Sequence, residues 1–331
     1  MTTRTILVTG GAGYIGSHTC KALVNAGFSP VVYDNLSTGY RESVQFGPLV
    51  EGDIRDAALL QKTFAGHKPV AVMHFAAKLA VGESVEKPEE YYDVNVRGAW
   101  NILHNARTAG IPIVFSSTAA VYGIPETFPV TENAPLAPIN PYGHSKRMVE
   151  QMLADSSHAY GLKYASLRYF NACGADAEGQ LGLRQTNPTH LIPSAIEAIL
   201  GTRPPLLVFG TDYPTEDGTA VRDYIHVTDL AEAHVAALNY LLGGGDSNIF
   251  NLGTGRGYSV KQIVDAVESA TGQQVPHQNH ERRAGDPPAL VAAVEKARNI
   301  LAWQASQSDL PNIVSTAWSW RQQLTNNAKA L

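Results

Sequence analysis

The chain has 331 residues, 44% of them hydrophobic and 17% charged, which fits one large domain or two closely joined ones built on a helix-covered sheet. Its formal net charge is −5 at pH 7, and it has no basic stripe, amphipathic segment or transmembrane-length apolar run, so we expect neither nucleic acid nor a membrane as a partner. Two cysteines make no disulfide framework and no signal peptide precedes the first strand, which predicts a cytoplasmic protein.

The first predicted strand, residues 5–8, leads into a turn that is rich in glycine. Gly10, Gly13 and Gly16 fall at the spacing that dinucleotide-binding turns use, and residues 14–26 have the apolar periodicity of a helix. Glycines let the backbone approach phosphate oxygens, and the helix N-terminus favours their negative charge. The segment therefore predicts a pyrophosphate site.

A second apolar strand, residues 30–33, ends at Asp34, about 20 residues after the third glycine. A carboxylate at this place can bind both hydroxyls of an adenine ribose and repels a 2′-phosphate. Asp34 thus favours NAD over NADP as the cofactor.

The third and fourth predicted strands are followed by residues suited to the same cofactor. Asp53 comes after the strand at 49–51, where it either reaches the adenine edge or caps the next helix. The strand at 70–75 is almost wholly apolar and runs into two alanines, small enough for a cofactor to lie against the backbone. In the helix predicted at 88–109, Asn95 is either a core amide or a prop for the cofactor.

Two further strands complete the predicted sheet. The fifth, at 111–115, ends in Ser116-Ser117-Thr118, and the sixth lies at 164–167. Six strands joined by helical crossovers predict an α/β fold with a doubly wound parallel sheet of the Rossmann type. Ligands in such sheets bind at the carboxyl ends of the strands, so we expect the residues that follow the strands to converge there.

The helix predicted from residue 141 to residue 160 carries a tyrosine and a lysine four residues apart. Asn140 is a good N-cap and Pro141 suits the first helical position. Tyr142 and Lys146 then lie on one helical face, where an ammonium lowers the pKa of a nearby phenol. The pair predicts a base that removes a proton from an alcohol.

Beyond about residue 175, prolines, glycines and polar turns become frequent between the helices predicted at 192–200, 227–242 and 260–270. We therefore predict a cofactor domain at 1–175 and a smaller substrate-binding α/β domain at 176–331, with segments near 220–240 packing back on the first. The histidines show no metal-ligand spacing, so no metal is expected, and His74 fits a core position.

These features resemble the extended short-chain dehydrogenase/reductases, through the glycine turn, Asp34, Ser116–Thr118, Tyr142/Lys146 and residues 168–171. Four longer motifs, at 13–19, 80–84, 212–219 and 221–227, are similar to those of the UDP-glucose 4-epimerase family. The resemblance covers residues 5–325. It implies a homodimeric enzyme that interconverts UDP-glucose and UDP-galactose.

In that family NAD stays bound through the whole reaction. The resemblance implies that Tyr142 acts as the base, that Thr118 binds the sugar hydroxyl, and that Lys146 holds the nicotinamide ribose and lowers the pKa of the tyrosine. The implied cofactor contacts are Gly10, Gly13, Tyr14, Ile15, Gly16, Asp34, Asn35, Leu36, Ser37, Thr38, Gly39, Asp53, Ile54, Phe75, Ala76, Ala77, Lys78, Asn95, Tyr142, Lys146, Tyr169 and Phe170.

The resemblance also implies a tight grip on the UDP part of a UDP-hexose. Arginines would pair with the diphosphate, an aromatic ring would stack on uracil, and an aspartate would accept from a ribose hydroxyl. The implied substrate contacts are Thr118, Asn171, Leu191, Phe209, Arg222, Tyr224, Arg283, Asp286 and Leu290. Where some members have a bulky tyrosine beside the hexose, this chain has Leu290, so UDP-N-acetylhexosamines are a further expected substrate.

At Lys78 and His190 the chain departs from the usual family pattern, and their roles stay open. Two other classes of protein also remain. A nucleotide-sugar dehydratase or decarboxylase shares NAD and the tyrosine, but it needs an acid beside the threonine, and Thr118 is followed by Ala119-Ala120. A non-enzymatic NAD-binding regulator has no need of both Tyr142 and Lys146.

Overall fold

The computed structural model describes residues 4–186, 188–283 and 285–329. Its strands, in chain order, are β1 (Thr5–Thr9), β2 (Ser29–Asp34), β3 (Leu49–Glu51), β4 (Ala71–His74), β5 (Ile113–Thr118), β6 (Tyr164–Tyr169), β7 (Asn171–Cys173), β8 (Leu206–Phe209), β9 (Val221–His226), β10 (Asn248–Leu252), β11 (Gly257–Ser259), β12 (His277–His280) and β13 (Ala289–Leu290). Its helices are α1 (Tyr14–Asn25), α2 (Ala57–His67), α3 (Val81–Glu86), α4 (Pro88–Tyr91), α5 (Gly98–Ala109), α6 (Pro141–Tyr160), α7 (Leu191–Ile199), α8 (Val227–Leu242), α9 (Val260–Thr271), α10 (Glu295–Leu301) and α11 (Leu310–Lys329). A π-helical turn at Tyr92–Arg97 makes α4 and α5 continuous.

The main sheet is parallel throughout and has the strand order β10-β6-β5-β4-β1-β2-β3. The predicted doubly wound α/β fold is therefore confirmed. The sheet has seven strands where the sequence predicted six, because β10 comes from far along the chain and pairs with β6. The strand order reverses between β1 and β4, which places the ligand crevice of such a fold at their carboxyl ends.

Apolar side chains cover both faces of this sheet. One face packs against α2, α5 and α6 through Leu60, Ile102 and Val149. The opposite face packs against α1, α8 and α10 through residues such as Leu23 and Leu238. Strands buried on both faces explain the almost uninterrupted apolar runs of β1 and β4.

A second cluster of elements forms a smaller body with its own core. Strands β7, β9, β11 and β13 form one small sheet, β8 pairs with β12, and α7, α9 and α11 cover them. Ile196, Ile263 and Ile313 are fully buried in this core. The division of the chain at residue 175 stays a prediction, and the structure places α8 and β10 against elements of the first part.

Strand β5 continues through Thr118, so Ser116, Ser117 and Thr118 lie within the strand and not after it. The reason is that β6 also runs further than predicted, to Tyr169, and pairs in register with these residues. The catalytic candidate Thr118 and the cofactor candidate Tyr169 are consequently direct neighbours at the end of the sheet.

Candidate active site

The turn between β1 and α1 admits only glycine at two of the predicted positions. Gly10 has a φ of 75°, and a Cβ built on it would lie 2.5 Å from the backbone nitrogen of Ala76. A Cβ on Gly16 would lie 2.2 Å from the carbonyl oxygen of Gly10. Gly13 is the N-cap of α1, with no side chain on the first free N–H groups. These groups form a cradle that favours an anion.

The first two residues of α1 are fixed by contacts with two different neighbours. The Tyr14 hydroxyl donates to the carbonyl oxygen of Gly174 at 2.6 Å. Ile15 packs against the core between α1 and the sheet. Both residues therefore hold the helix N-terminus in place below the glycine turn.

Asp34 closes the same turn from the end of β2. Its buried carboxylate accepts from the backbone N–H of Ala12 at 3.0 Å and from that of Leu36 at 2.8 Å. A Cβ on Gly39 would lie 3.0 Å from Oδ1, so the following loop also closes on this acid. Burial is the main influence on the pKa of Asp34 and raises it, while the two amides act in the opposite direction.

Asp53 lies beside that loop and is held by its neighbours. Asn35 Nδ2 donates to Asp53 Oδ2 at 2.9 Å, and the Arg55 guanidinium, at 2.7 Å from the same oxygen, is the main reason that the pKa of Asp53 is lowered. The other predicted residues of this edge are Leu36, Ser37 and Thr38 in the loop after β2, and Ile54, which is buried against Gly98.

The alternative that Asp53 caps the next helix is wrong. Helix α2 is capped by Asp56, whose carboxylate accepts from the Leu59 backbone N–H at 2.9 Å. A backbone turn from Asp53 to Asp56 delays the helix by three residues, and the Asp53 carboxylate is left for Arg55 and Asn35. Either aspartate has the right chemistry for a cap, and the chain path decides between them.

The segment after β4 runs beside the glycine turn with little side-chain bulk. The backbone N–H groups of Phe75 and Ala76 both donate to the Thr9 carbonyl, at 2.9 and 3.1 Å. Ala77 follows, and the Phe75 ring lies 4.7 Å from the ring of His234 on α8. Nothing in the sequence indicates this contact, because a histidine such as His234 inside an amphipathic helix carries no local pattern that identifies its neighbours.

Asn95 ties this segment to the helix that carries Tyr142. Its side-chain amide accepts from the Lys78 backbone N–H at 2.8 Å and donates to the Lys78 carbonyl at 3.0 Å and to Ser145 Oγ at 2.9 Å. The Lys78 ammonium turns away to pair with Glu83 and Glu90. Asn95 thus acts as a prop for the loop, and Ser145 is a partner that the sequence analysis missed.

Helix α6 begins as the sequence predicts. The Asn140 side chain accepts from the Gly143 backbone N–H at 2.8 Å, and Pro141 occupies the first helical position. Tyr142 and Lys146 follow on one face, and that face packs against β5.

The three catalytic candidates meet at the carboxyl end of β5. Lys146 Nζ donates to the Ser116 carbonyl at 2.8 Å, and burial lowers the pKa of Lys146 to about 7. Tyr142 is half-buried; burial raises its pKa, and the neighbouring Thr118 hydroxyl acts in the other direction. The lowering of the Tyr142 pKa by Lys146 stays a prediction.

Tyr169 and Phe170 complete this end of the site. The Tyr169 hydroxyl hydrogen-bonds with Ser116 Oγ, on the residue whose carbonyl receives Lys146. Phe170 packs with Leu290 against the turn at Ala119–Tyr122, directly after Thr118. The structure therefore brings Leu290 to the catalytic end of β5.

The charged and aromatic candidates of the second body form two contacting pairs. The Arg222 guanidinium, mostly buried, pairs with the Asp286 carboxylate. The Arg283 guanidinium lies 3.9 Å from the centre of the Phe209 ring. Two cations and a partly buried aromatic ring thus stand at the end of β8 and the start of β9, groups suited to a diphosphate and a base.

The remaining substrate candidates are distributed around β9. Asn171 Nδ2 donates to the Asp223 carbonyl at 2.9 Å, and Leu290 pairs in register with Arg222. Tyr224 is buried in the core of the second body, and Leu191 starts α7 at the edge of that core. These contacts place Asn171 and Leu290 between the catalytic end of β5 and Arg222.

The described residues contain neither a cluster suited to a metal ion nor a membrane-spanning helix. No cluster of three or more His, Cys, Asp or Glu side chains in those ranges is arranged to hold a metal ion. None of the helices there is both long and apolar enough to span a membrane.

A sequence model of the NAD dependent epimerase/dehydratase family matches residues 6–253. The chain belongs to this family. A UDP-glucose 4-epimerase of Rhizobium leguminosarum bv. trifolii is 53% identical over 321 residues, which cover 97% of this chain and 98% of that protein.

Two solved structures of family members extend the similarity to three dimensions. UDP-glucose 4-epimerase from Brucella ovis in complex with NAD has a TM-score of 0.94 and 50% identity, covering 96% of this chain and 98% of that one. The UDP-Glc/GlcNAc 4-epimerase from Campylobacter jejuni has a TM-score of 0.85 and 42% identity, covering 96% and 99%.

Proposed function

We propose that this family member interconverts UDP-glucose and UDP-galactose by transient oxidation at C4 of the hexose. The observation that carries the proposal is the meeting of Tyr142, Thr118 and Lys146 at the end of β5, on the same sheet edge as the glycine turn. Full-length similarity to UDP-glucose 4-epimerases at about half identity supports it.

The residues present fit NAD. The turn at Gly10 and Gly16 is packed so closely on Ala76 and on itself that a Cβ would collide, and the free N–H groups that it presents at the start of α1 would hold the pyrophosphate, while Asp34 lies where the adenine ribose follows. Lys146 and Tyr169 frame the nicotinamide end, with Ala76 as a small-residue wall between the two ends. When bound, NAD accepts the hydride from C4 and returns it, so the cycle consumes no oxidant.

Tyr142 takes the proton from the sugar 4-hydroxyl and later gives it back. The phenol is half-buried beside the Thr118 hydroxyl, which positions the sugar oxygen and relays the proton. Lys146 supplies the nearby cation that favours the phenolate.

The sugar must present either face to the same base, so the protein grips UDP and leaves the hexose free to turn. Arg222 and Arg283 bind the diphosphate, Phe209 stacks on uracil, and Asp286 accepts from a ribose hydroxyl. Because Arg222 and Asp286 pair with each other in the structure, both charges are already oriented before a ligand arrives.

A nucleotide-sugar dehydratase or decarboxylase would need an acidic side chain beside Thr118. The residues after Thr118 are Ala119 and Ala120, in a turn whose backbone the Thr118 hydroxyl caps at 3.1 Å. No carboxyl group is therefore offered beside the threonine by this segment.

Incubation of the pure protein with UDP-galactose, without added cofactor, tests the proposal. UDP-glucose should appear, and protein denatured before incubation should release NAD into the supernatant. Unchanged UDP-galactose from protein that carries NAD would overturn the epimerase function, and a product that has lost water would instead indicate a dehydratase.

We also propose two domains, a NAD-binding one at 1–175 and a nucleotide-sugar-binding one at 176–331, with α8 returning to the first. The separate cores of the two bodies support this division. The cytoplasmic location is a further proposal, supported by Cys20 and Cys173, which are buried and unpaired as in proteins of reducing compartments.

The sugar pocket should also admit an N-acetyl group at C2. Leu290 packs beside Phe170 at the catalytic end of β5, and it is shorter than tyrosine and has no hydroxyl. We expect the protein to interconvert UDP-N-acetylglucosamine and UDP-N-acetylgalactosamine, and Leu290→Tyr to lose this reaction selectively. The kcat/KM values for acetylated and plain sugars measure both points.

Leu290→Met, of similar volume, is the matched control and should keep both reactions. If the native protein does not convert the acetylated sugar, or if Leu290→Tyr lowers both reactions equally, Leu290 does not set the size of the pocket.

The homodimer is proposed through an apolar patch where the π-helical turn and α5 meet α6. A cavity of about 500 Å³ there is lined by Tyr92, Val96, Trp100, Met148 and Met152, with Arg97 as its charged member, and Trp100 is 55% exposed. Such a patch is typical of protein–protein interfaces.

Trp100→Glu should convert the dimer to a monomer, because a carboxylate in the centre of an apolar interface loses its water without gaining a partner. Light scattering coupled to size-exclusion chromatography measures the mass. Val24→Glu, at an exposed apolar residue of α1 on the opposite face of the sheet, is the control. A Trp100→Glu protein that is still dimeric would rule this patch out as the interface.

A further inference from the structure

Three side chains on successive turns of α6 contact three consecutive residues of β5. Tyr142 lies beside the Thr118 hydroxyl, and Lys146 Nζ donates to the Ser116 carbonyl at 2.8 Å. One turn further along, Glu150 Oε1 accepts from Ser117 Oγ at 2.6 Å. The first two belong to the site already described, and the third does not.

The Glu150 carboxylate also accepts from an arginine on β6, the strand next to β5. Arg168 Nε donates to Oε1 at 2.9 Å and Nη2 donates to Oε2 at 2.6 Å, in a two-pronged contact. Both side chains are at most 4% exposed, and Arg168 stands opposite Ser117 in the β5–β6 register. The carboxylate thus joins a helix and two strands.

The remaining Arg168 donor is satisfied as well. Nη1 donates to the Tyr122 hydroxyl at 3.0 Å and to the Glu132 carbonyl at 3.3 Å, and the Tyr122 hydroxyl donates to Asn251 on β10 at 2.7 Å. A buried network in which every member is partnered is rigid and admits one geometry. Its centre lies one helical turn from the catalytic lysine.

We propose that Glu150 and Arg168 are positioning residues, which hold the Tyr142/Lys146 face of α6 in catalytic register with the end of β5. The inference rests on the proposed epimerase function. A buried ion pair adds little net stability over apolar residues of the same volume, whereas a two-pronged arginine–carboxylate contact fixes distance and orientation. A displacement of the base by about 1 Å costs on the order of 10²-fold in rate.

The charge of Glu150 also acts on Lys146. Burial lowers the pKa of Lys146 to about 7, and the Glu150 carboxylate opposes that change. The other titratable or charged groups facing this pair are His74 on β4, Tyr122 after β5, Glu132 beyond it, and Tyr164 and Arg168 on β6. Without the carboxylate, the pKa of Lys146 falls further, and the ammonium loses its proton at a lower pH. If the reaction needs the ammonium, the decline of the rate with rising pH should then begin at a lower pH.

Glu150→Gln tests the proposal, because glutamine has nearly the same shape as glutamate but replaces one carboxylate oxygen with an NH₂ group. That NH₂ group is a donor and cannot accept a hydrogen bond from the Arg168 guanidinium. We expect kcat for UDP-galactose to fall about 10–100-fold, UDP affinity to be kept, and the alkaline limb of the pH–rate profile to move to lower pH. Glu197→Gln is the control, since Glu197 pairs with Arg321 at 3.0 Å in another mostly buried contact, between α7 and α11. It should lose stability without a change in kcat or in the profile.

If Glu150→Gln does not fold, Arg168→Lys carries the same test, because it keeps the charge and loses the two-pronged contact. An active wild-type protein whose Glu150 variant keeps its kcat and pH profile would overturn the positioning role and leave the epimerase function standing. A wild-type protein that binds NAD and UDP but does not epimerise would overturn the function, and this inference with it.

Discussion

Tyr142→Phe is expected to lower kcat for UDP-galactose by about 10²–10⁴-fold, the usual cost of losing a general base. The change keeps the aromatic ring on α6 and removes only the hydroxyl beside Thr118. The proposed UDP contacts, Arg222 and Arg283, lie in the other body, so the affinity for UDP should be unchanged. Initial rates and calorimetric titration with UDP measure the two quantities.

The pH dependence gives this prediction a second readout. Tyr142 acts as a base only as the phenolate, so on the acidic side of the profile, where Lys146 keeps its charge, the rate should increase as the pH rises; burial, which raises the pKa of Tyr142, moves this increase to higher pH. The phenylalanine variant should lose this ascending limb along with the rate. Tyr160→Phe, which removes an exposed phenol at the far end of α6, is the control and should keep both. Near-normal turnover by Tyr142→Phe would mean that another group is the base.

The local features of this fold could be predicted well from sequence. The glycine turn, the start of α6 at Asn140 and the short strand Leu49–Glu51 all depend on residues that are close in the chain. The seventh strand could not be predicted in the same way. Asn248–Leu252 joins the sheet by pairing with β6, and the stability of that pairing comes from residues about 80 positions away, which no local pattern encodes.

The same limit applies to the candidate site. Sequence identifies Arg222 and Asp286 as charged residues in a recognisable motif, but it does not indicate that they pair with each other. It also passes over Glu150, which on α6 resembles any other helical glutamate until the fold buries it against Arg168. Residue chemistry and short spacings are visible in the chain, whereas the partners of each charge are decided by tertiary packing.

Asp34→Ala is expected to weaken NAD retention by about 10–100-fold. The estimate takes a total of about 1.5–3 kcal/mol for the lost hydrogen bonding to a charged acceptor, with tenfold for each 1.4 kcal/mol. Two losses combine, because the carboxylate that we propose for the ribose also accepts from the backbone N–H groups of Ala12 in the glycine turn and Leu36 in the loop after β2. The NAD content of the protein after extended dialysis, and the recovery of activity on adding NAD, measure the effect.

Two further variants distinguish a loss of NAD binding from a loss of loop stability. Asp56→Ala removes a carboxylate that caps α2 at the same edge of the sheet, at a typical cost of about 1 kcal/mol of stability. It should leave NAD in place, since Asp56 points at its own helix. Asp34→Asn keeps an acceptor for one amide and loses the charge that repels a 2′-phosphate, so it should bind NADP better than the native protein does. Full NAD occupancy in Asp34→Ala would remove Asp34 from the cofactor site and leave it as a purely structural tie of the loop.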